Sequence, residues 1–186
     1  TAIGLFPDVG ASLFLGRCPK PIARLLGMTG CSIRAADCLL LGLATAHVPS
    51  LSMASLKQKL LHCDVDDIDF VIEQFQTDAG VSRIAEQRDL VDHIFACGPV
   101  ESMRDRALGI AKKMPHNKLL DGVAIAFRTR CPLSIKLFDR LLTEIEDVND
   151  PVSAIELDFH LASQMARRAD FVEGVRAIVV DKDQAP

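Results

Sequence analysis

The chain has no tryptophan and no tyrosine among its 186 residues, although it has nine phenylalanines. It therefore lacks most of the stacking surfaces that binders of single-stranded nucleic acid use. Its 21 Lys and Arg residues are scattered along the chain and are outnumbered by 25 Asp and Glu residues, which gives a net charge of −4. No basic patch indicates a nucleic-acid partner.

Long apolar runs and paired cysteines are also missing. Apolar residues make up 49% of the chain, which is enough for a core, but no stretch approaches the roughly 18 consecutive apolar residues of a membrane span. The six cysteines lie far apart, with no Cys-x-x-Cys pair, whereas zinc ligation uses closely spaced pairs. We therefore predict no metal site and no membrane span, and interpret the cysteines as buried thiols of a reducing compartment.

The patterns that are present are overwhelmingly helical. Apolar residues recur at helical spacing between capping residues and proline or glycine breaks, without an internal repeat or an obvious linker. We expect more than half of the residues to be helical, with residues 43–48 as a short terminal strand and with Asp170 and Glu173 as a capping box. The predicted helices cover residues 9–17, 22–28, 34–41, 50–61, 66–75, 82–95, 100–114, 121–130, 132–142, 151–168 and a last one from 170.

The most informative segment stands at the start of the chain and reads Ile3-Gly4-Leu5-Phe6-Pro7-Asp8-Val9-Gly10. Pro7 fixes its own φ, and Gly10 allows a positive φ or a close backbone approach. Between them stands one carboxylate, Asp8, directly before an apolar run. An aspartate at such a turn can be a plain helix N-cap or a catalytic acid, and the spacing alone favours the cap.

This segment resembles the active-site segment of the crotonase superfamily, most closely its 3-hydroxyisobutyryl-CoA hydrolase branch. The branch pattern is Glu-Thr-Ala-Ile-Gly-Leu-Phe-Pro-Asp-Val-Gly-Gly. Residues 1–10 match it, and Ala11 replaces its second glycine. Enoyl-CoA hydratases share the glycines and proline but have glycine at the position of Asp8, and dienoyl-CoA isomerases keep Asp-Val-Gly but lack the preceding Phe-Pro. The combination Phe6-Pro7-Asp8 therefore favours the hydrolase branch.

Three further segments extend the resemblance along the chain. They are Thr29-Gly30-x-x-Ile33-x-Ala35-x-Asp37-x-x-x-x-Gly42-Leu43, Pro132-x-Ser134-x-Lys136, and Arg168-Ala169-Asp170-Phe171-x-Glu173-Gly174-x-Arg176-Ala177 with Asp181-Lys182-Asp183. The resemblance implies a mainly α chain, the helix-rich C-terminal portion of the crotonase α/β spiral fold. Residues 1–49 would be the end of the crotonase core with the active-site turn, and residues 50–186 a helical C-terminal region.

The resemblance also implies the chemistry and what this chain does not contain. The catalytic glutamate of the family immediately precedes Thr1, and the glycine-rich segment that supplies oxyanion-hole amides belongs to an earlier half. The glutamate attacks the thioester or activates water, while the aspartate at the Asp8 position binds the 3-hydroxyl group of the substrate and orients the reacting groups. Coenzyme A is part of the substrate, so no separate cofactor is implied, and no coenzyme A-binding residue is assigned. The isolated chain is predicted to be inactive.

The implied function is hydrolysis of an acyl-CoA thioester in valine breakdown, in the mitochondrial matrix, although no targeting peptide is visible. Another crotonase-family hydratase or isomerase is the alternative enzyme, and a non-catalytic helical assembly module is the alternative of another class. We also predict self-association or contact with the N-terminal half through an apolar surface around Ile3, Leu5 and Leu13.

Other polar residues are interpreted as structural. His62 and His93 are expected at the surface, and His47 has no partner that the sequence can name. Thr29 and Asp37 are expected to cap helices or to form buried hydrogen bonds.

Two pairs of cations, Lys112-Lys113 and Arg167-Arg168, look like solvated helix ends. Contact with the phosphates of coenzyme A is the alternative for both.

Overall fold

A computed structural model describes residues 1–145 and 150–186. Helices account for 66% of this part of the chain, and no strand occurs in it. The prediction of a mainly helical chain is therefore confirmed. The described residues form two compact units, one of Thr1–Ser32 with Asp89–Pro186 and one of Ile33–Arg88. These units are defined by internal packing, whereas the division into residues 1–49 and 50–186 was drawn from the family resemblance. That division stays a prediction.

Twelve α-helices are described, and short 3₁₀ or π turns extend the series at Ser50–Ser52, Val65–Asp67 and Arg176–Val180. The α-helices are α1 (Ala11–Gly16), α2 (Lys20–Thr29), α3 (Ala35–Leu40), α4 (Met53–Leu60), α5 (Ile68–Glu73), α6 (Arg83–Glu86), α7 (Arg88–Phe95), α8 (Val100–Lys113), α9 (Lys118–Thr129), α10 (Pro132–Glu144), α11 (Pro151–Met165) and α12 (Ala169–Val175).

Helix α2 lies at the centre of the first unit, where it packs against α1, α9 and α10. Nearly all of its residues are buried, and a Cβ atom at Gly27 would overlap the ring of the buried Phe138. The buried Arg24 donates hydrogen bonds to Asp139 at 2.8 Å and to the Phe95 carbonyl at 2.7 Å. An uncompensated buried charge would be costly, so these acceptors make the cation tolerable in the core.

In the second unit α3 packs against α6, and α4 packs against α5. Its buried carboxylate is Asp37, which accepts hydrogen bonds from the amides of Arg34 and Ile84 at 2.9 Å each and from the Ser82 hydroxyl at 2.7 Å. Burial by itself raises the pKa of Asp37, but these hydrogen bonds together hold it below its usual value. The structural role predicted for this residue is confirmed.

Two local predictions are wrong. Residues 43–48 are irregular rather than a strand, because a strand needs a pairing partner and none is present among the described residues. Asp170 and Glu173 form no capping box, because α12 begins at Ala169 with no side-chain cap. Asp170 instead lies 3.5 Å from Arg168, and Glu173 pairs with Arg176.

None of the helices in the described part of the chain is both long enough and apolar enough to cross a membrane.

Candidate functional site

The N-terminal segment that contains Asp8 is fixed at its start by two helices of the first unit. The hydroxyl of Thr1 donates to the carbonyl of Met28 at the end of α2 (3.2 Å), and the amide of Cys131, just before α10, donates to the Thr1 carbonyl (3.3 Å). Further along, the side chain of Phe6 is almost completely buried. The segment is therefore held by packing and by backbone hydrogen bonds before it reaches Asp8.

Two glycines allow this segment to lie directly against the backbone of α12. Gly4 has a φ of +72°, and a Cβ atom on it would stand 2.5 Å from the carbonyl oxygen of Asp170. On the opposite side, a Cβ atom on Gly174 would stand 2.5 Å from the carbonyl carbon of Ile3. Because backbone atoms meet backbone atoms here, neither position has room for a side chain.

Asp8 begins a tight turn that leads into α1. Its carbonyl accepts a hydrogen bond from the Ala11 amide at 3.1 Å, and the two central residues, Val9 and Gly10, have φ values of +57° and +76°. Positive φ at both central positions is the pattern of a type I′ turn. For a β-branched residue such as Val9 this conformation is a genuine outlier, which costs on the order of 1–3 kcal/mol and persists only where the surroundings enforce it.

The Asp8 carboxylate is half-buried and does not cap the helix that follows. Helix α1 begins at Ala11, its N-cap is Gly10, and no side chain forms a capping hydrogen bond there. The helix-cap alternative is therefore wrong for Asp8. Its neighbour Val9 is 77% exposed, so the tip of the turn projects away from the core.

A second carboxylate, which the sequence did not single out, lies at the same turn. Asp158 on α11 is only 3% exposed, and its Oδ2 accepts the amide hydrogen of Gly10 at 2.7 Å. Its Oδ1 is buried without a hydrogen-bond partner among the described residues, as is the hydroxyl of Ser12 on α1. Burial raises the pKa of Asp158, the Gly10 hydrogen bond opposes this, and the negative charge of Asp8 adds to the increase.

A cavity of about 490 Å³ opens beside the start of the segment. Its lining includes Ala2 and Gly4, the end of α9 with Arg128 and Arg130, and Glu173 on α12. Neither Asp8 nor Asp158 is among the residues that line it. The cavity thus adjoins the segment without containing the two carboxylates.

The other residues singled out in the sequence do not join this site. His62 and His93 are exposed, as predicted. His47 does have a partner, because its Nδ1 lies 3.2 Å from the Thr77 hydroxyl. Thr29 donates to the Leu25 carbonyl within α2, which confirms its structural role.

Both cation pairs are exposed, as expected of solvated helix ends, and the alternative, contact with coenzyme A, stays untested. In the described part of the chain no group of three or more His, Cys, Asp or Glu side chains is placed to bind a metal ion.

Comparison with known proteins gives one family and a consistent set of relatives. The family model described as enoyl-CoA hydratase/isomerase matches residues 1–186. The chain is 30% identical to human mitochondrial 3-hydroxyisobutyryl-CoA hydrolase over all of its own length and 49% of that protein. It is 31% identical to 3-hydroxyisobutyryl-CoA hydrolase 1 of Arabidopsis thaliana, over all of its length and 51% of that protein. The chain thus spans about half the length of the curated relatives that it matches.

Among solved structures, two examples resemble this chain over nearly its whole length. An enoyl-CoA hydratase from Rhodobacter sphaeroides matches with a TM-score of 0.81 and 27% identity, over 100% of this chain and 51% of that one. A carnitinyl-CoA dehydratase from Mycobacterium thermoresistibile matches with a TM-score of 0.83 and 22% identity, over 97% of this chain and 51% of that one, which bears on the fold alone.

Proposed function

The chain belongs to the enoyl-CoA hydratase/isomerase family, and from that premise we propose that it is the C-terminal portion of an acyl-CoA thioester hydrolase. The hydrolase is most like 3-hydroxyisobutyryl-CoA hydrolase, the name of its curated relatives. The observation that supports a catalytic role most strongly is the structural setting of Asp8. This carboxylate caps no helix, yet it stands on a strained turn that a buried second carboxylate fixes.

The proposed division of labour follows from thioester chemistry. Hydrolysis needs a nucleophile or an activated water at the carbonyl carbon, and a proton donor for the departing thiol. We assign the first role to the glutamate that precedes Thr1 in the family pattern. Asp8 would bind the 3-hydroxyl group of the substrate and orient the reacting groups.

The thioester oxygen would be polarised by backbone amides, of which one belongs to the N-terminal half. Each such donor typically contributes about 3 kcal/mol to stabilisation of the transition state. With both this amide and the glutamate elsewhere, residues 1–186 by themselves should release no thiol. Coenzyme A would enter as part of the substrate, without a separate cofactor.

The proposed partner of this chain is the N-terminal half of the same protein. Helix α11 presents Val152, Ile155 and Phe159 on one face, and they are 63%, 52% and 75% exposed. Ile3, Leu5 and Leu13, which the sequence suggested for the contact surface, are partly buried. We therefore place the contact, or self-association through the same surface, on this apolar face of α11. The names of several relatives contain the word mitochondrial, which supports a mitochondrial location, whereas the matrix and a role in valine breakdown are proposed from the family resemblance alone.

A second candidate is a crotonase-family hydratase or isomerase, which the solved enoyl-CoA hydratase with 27% identity favours. Two assays on the full-length protein separate the candidates. Free thiol released from 3-hydroxyisobutyryl-CoA measures hydrolysis, and loss of enoyl absorbance from a 2-enoyl-CoA measures hydration. Thiol release without hydration is the expected result, and hydration without thiol release would make the protein a hydratase.

The role of Asp8 is tested by Asp8→Asn in the same protein. The fold should survive, because the side chain is half-buried and caps nothing. Turnover should fall by about 10²–10⁴-fold, since an amide neither carries the charge nor exchanges the proton. Asp64→Asn, at an exposed position in the second unit, is the matched control and should leave turnover unchanged. An Asp8→Asn variant that melts normally and turns over at the wild-type rate would contradict the assignment.

A further inference from the structure

Asp158 lies far from the Asp8-Val9-Gly10 turn in sequence but is hydrogen-bonded directly to it. Its Oδ2 accepts the Gly10 amide hydrogen at 2.7 Å, across 148 positions of the chain. The residue is 3% exposed, and it stands on the buried side of α11 with Ala154 and Met165, where helical periodicity calls for an apolar residue. Burying a carboxylate in such a position costs desolvation free energy, which other interactions in the fold must offset.

The turn beside it needs an external support. Val9 and Gly10 both have positive φ, and the exposed side chain of Val9 has little packing that could enforce this conformation. Within the turn, the Asp8 carbonyl accepts from Ala11, which closes the turn but does not attach it to the rest of the unit. The Gly10–Asp158 hydrogen bond attaches the turn to α11 through a side chain. A charged acceptor makes such a bond shorter and stronger than a neutral one.

We propose that Asp158 is a positioning residue of this site, which fixes the Asp8-Val9-Gly10 turn through the Gly10 amide and thereby places the Asp8 carboxylate for reaction. The expected effect of Asp158 on kcat rests on the proposed thioester hydrolysis. The inference that Asp158 fixes the turn does not depend on that function. Asp158 touches the turn and not the substrate, so it acts through Asp8.

The experiment uses the full-length protein and three variants. Asp158→Ala removes the acceptor, Asp158→Asn keeps an oxygen that can accept the Gly10 amide, and Glu156→Ala removes an exposed carboxylate from the same helix as the matched control. Thiol release from 3-hydroxyisobutyryl-CoA is measured well below the melting temperature of each variant. We expect kcat to fall by up to about 100-fold in Asp158→Ala with KM within twofold, since misplacement by about 1 Å can have that effect. Asp158→Asn and Glu156→Ala should stay near the wild-type rate.

Hydrogen–deuterium exchange supplies a readout that needs no activity. Peptides that cover Gly10 should exchange faster in Asp158→Ala, and at the wild-type rate in Asp158→Asn and Glu156→Ala. A folded Asp158→Ala variant with wild-type kcat or unchanged exchange at Gly10 would overturn the proposal. So would an Asp158→Asn variant as impaired as Asp158→Ala, because the charge and not the hydrogen bond would then be what matters.

Two further outcomes, a variant that does not fold and an inactive wild-type protein, also lead to a clear conclusion. If Asp158→Ala does not fold, Asp158→Glu takes its place, since it keeps the charge and moves the acceptor, and a wild-type kcat in that variant would overturn the proposal. If the wild-type protein releases no thiol, the proposed hydrolase function fails. The exchange rates at Gly10 then still decide whether Asp158 fixes the turn.

Discussion

Replacing Gly174 with alanine tests the contact between α12 and the segment that contains Asp8. The new Cβ atom would stand 2.5 Å from the carbonyl carbon, 2.6 Å from the carbonyl oxygen and 2.7 Å from the Cα atom of Ile3. All three are backbone atoms, so no flexible side chain can move aside. The segment itself must shift, and it is anchored nearby through Thr1.

The expected magnitude combines two opposing effects. An alanine in a helix interior is ordinarily favoured over glycine by about 0.8–1 kcal/mol. Forcing a methyl group into a filled space typically costs 1–3 kcal/mol, occasionally more, and here the space is closed by backbone. Because backbone atoms close the space, we expect a cost in the upper part of this range, about 2–3 kcal/mol. After the gain of about 1 kcal/mol from helix propensity, Gly174→Ala should lower the free energy of unfolding by roughly 1–2 kcal/mol, which corresponds to a melting temperature lower by about 2–8 °C for a protein of this size.

Gly109 on α8 and Gly122 on α9 provide the matched controls, because a Cβ atom on either would meet nothing within 4 Å. Gly109→Ala and Gly122→Ala should therefore raise the melting temperature by the ordinary helix propensity of alanine. The assay is thermal unfolding of all three variants followed by circular dichroism. A Gly174→Ala variant that melts at or above the wild-type temperature, together with stabilised controls, would refute the close backbone packing.

Two further predictions concern Val9 and Asp37. Val9→Asn should raise the melting temperature by about 2–4 °C, since asparagine tolerates positive φ and the exposed valine has little packing to lose; a lower melting temperature would show that the turn is not strained. Asp37 has a pKa held below its unfolded value of about 3.9, so its contribution to stability should be complete above that pH and lost as the pH falls through the lower folded pKa. Urea unfolding of wild type and Asp37→Asn at pH 6 and pH 3 should show a difference that shrinks at pH 3, and a difference that grows there would contradict this account.

The helices were predictable because their sequence signals are local. Proline at the start of α10 and Asp150 before α11 mark helix starts, and the structure has both helices there. The start of α9 was missed by three residues, because the cap is the side chain of Asn117 rather than Asp121. The predicted strand over 43–48 failed for a different reason, since a short, mostly apolar segment cannot reveal whether a pairing strand exists.

The candidate site was only half predictable. Asp8 was singled out because it stands between Pro7 and Gly10 and because its segment resembles a family active-site motif, and its catalytic role stays a prediction. Its partner Asp158 could not be found in that way, because the contact depends on tertiary packing between α1 and α11. One signal was present in the sequence: Asp158 follows Ala154 by four positions and precedes Met165 by seven, so it interrupts an apolar face.

The contacts of the N-terminal segment explain why the two strongest motifs stand at opposite ends of the chain. The segment is held at Thr1 by the residue before α10, at Gly4 by the backbone of α12, and at Gly10 by the carboxylate on α11. Under the proposed function, the placement of the Asp8 carboxylate would therefore depend on three helices that follow it by more than 120 residues. The motif near the C-terminus includes Gly174, and this glycine packs against the backbone of Ile3 in the N-terminal motif. Helices α11 and α12 of the first unit thus support this segment, and if Asp8 acts as proposed, substitutions on their inner faces should affect turnover through the position of Asp8.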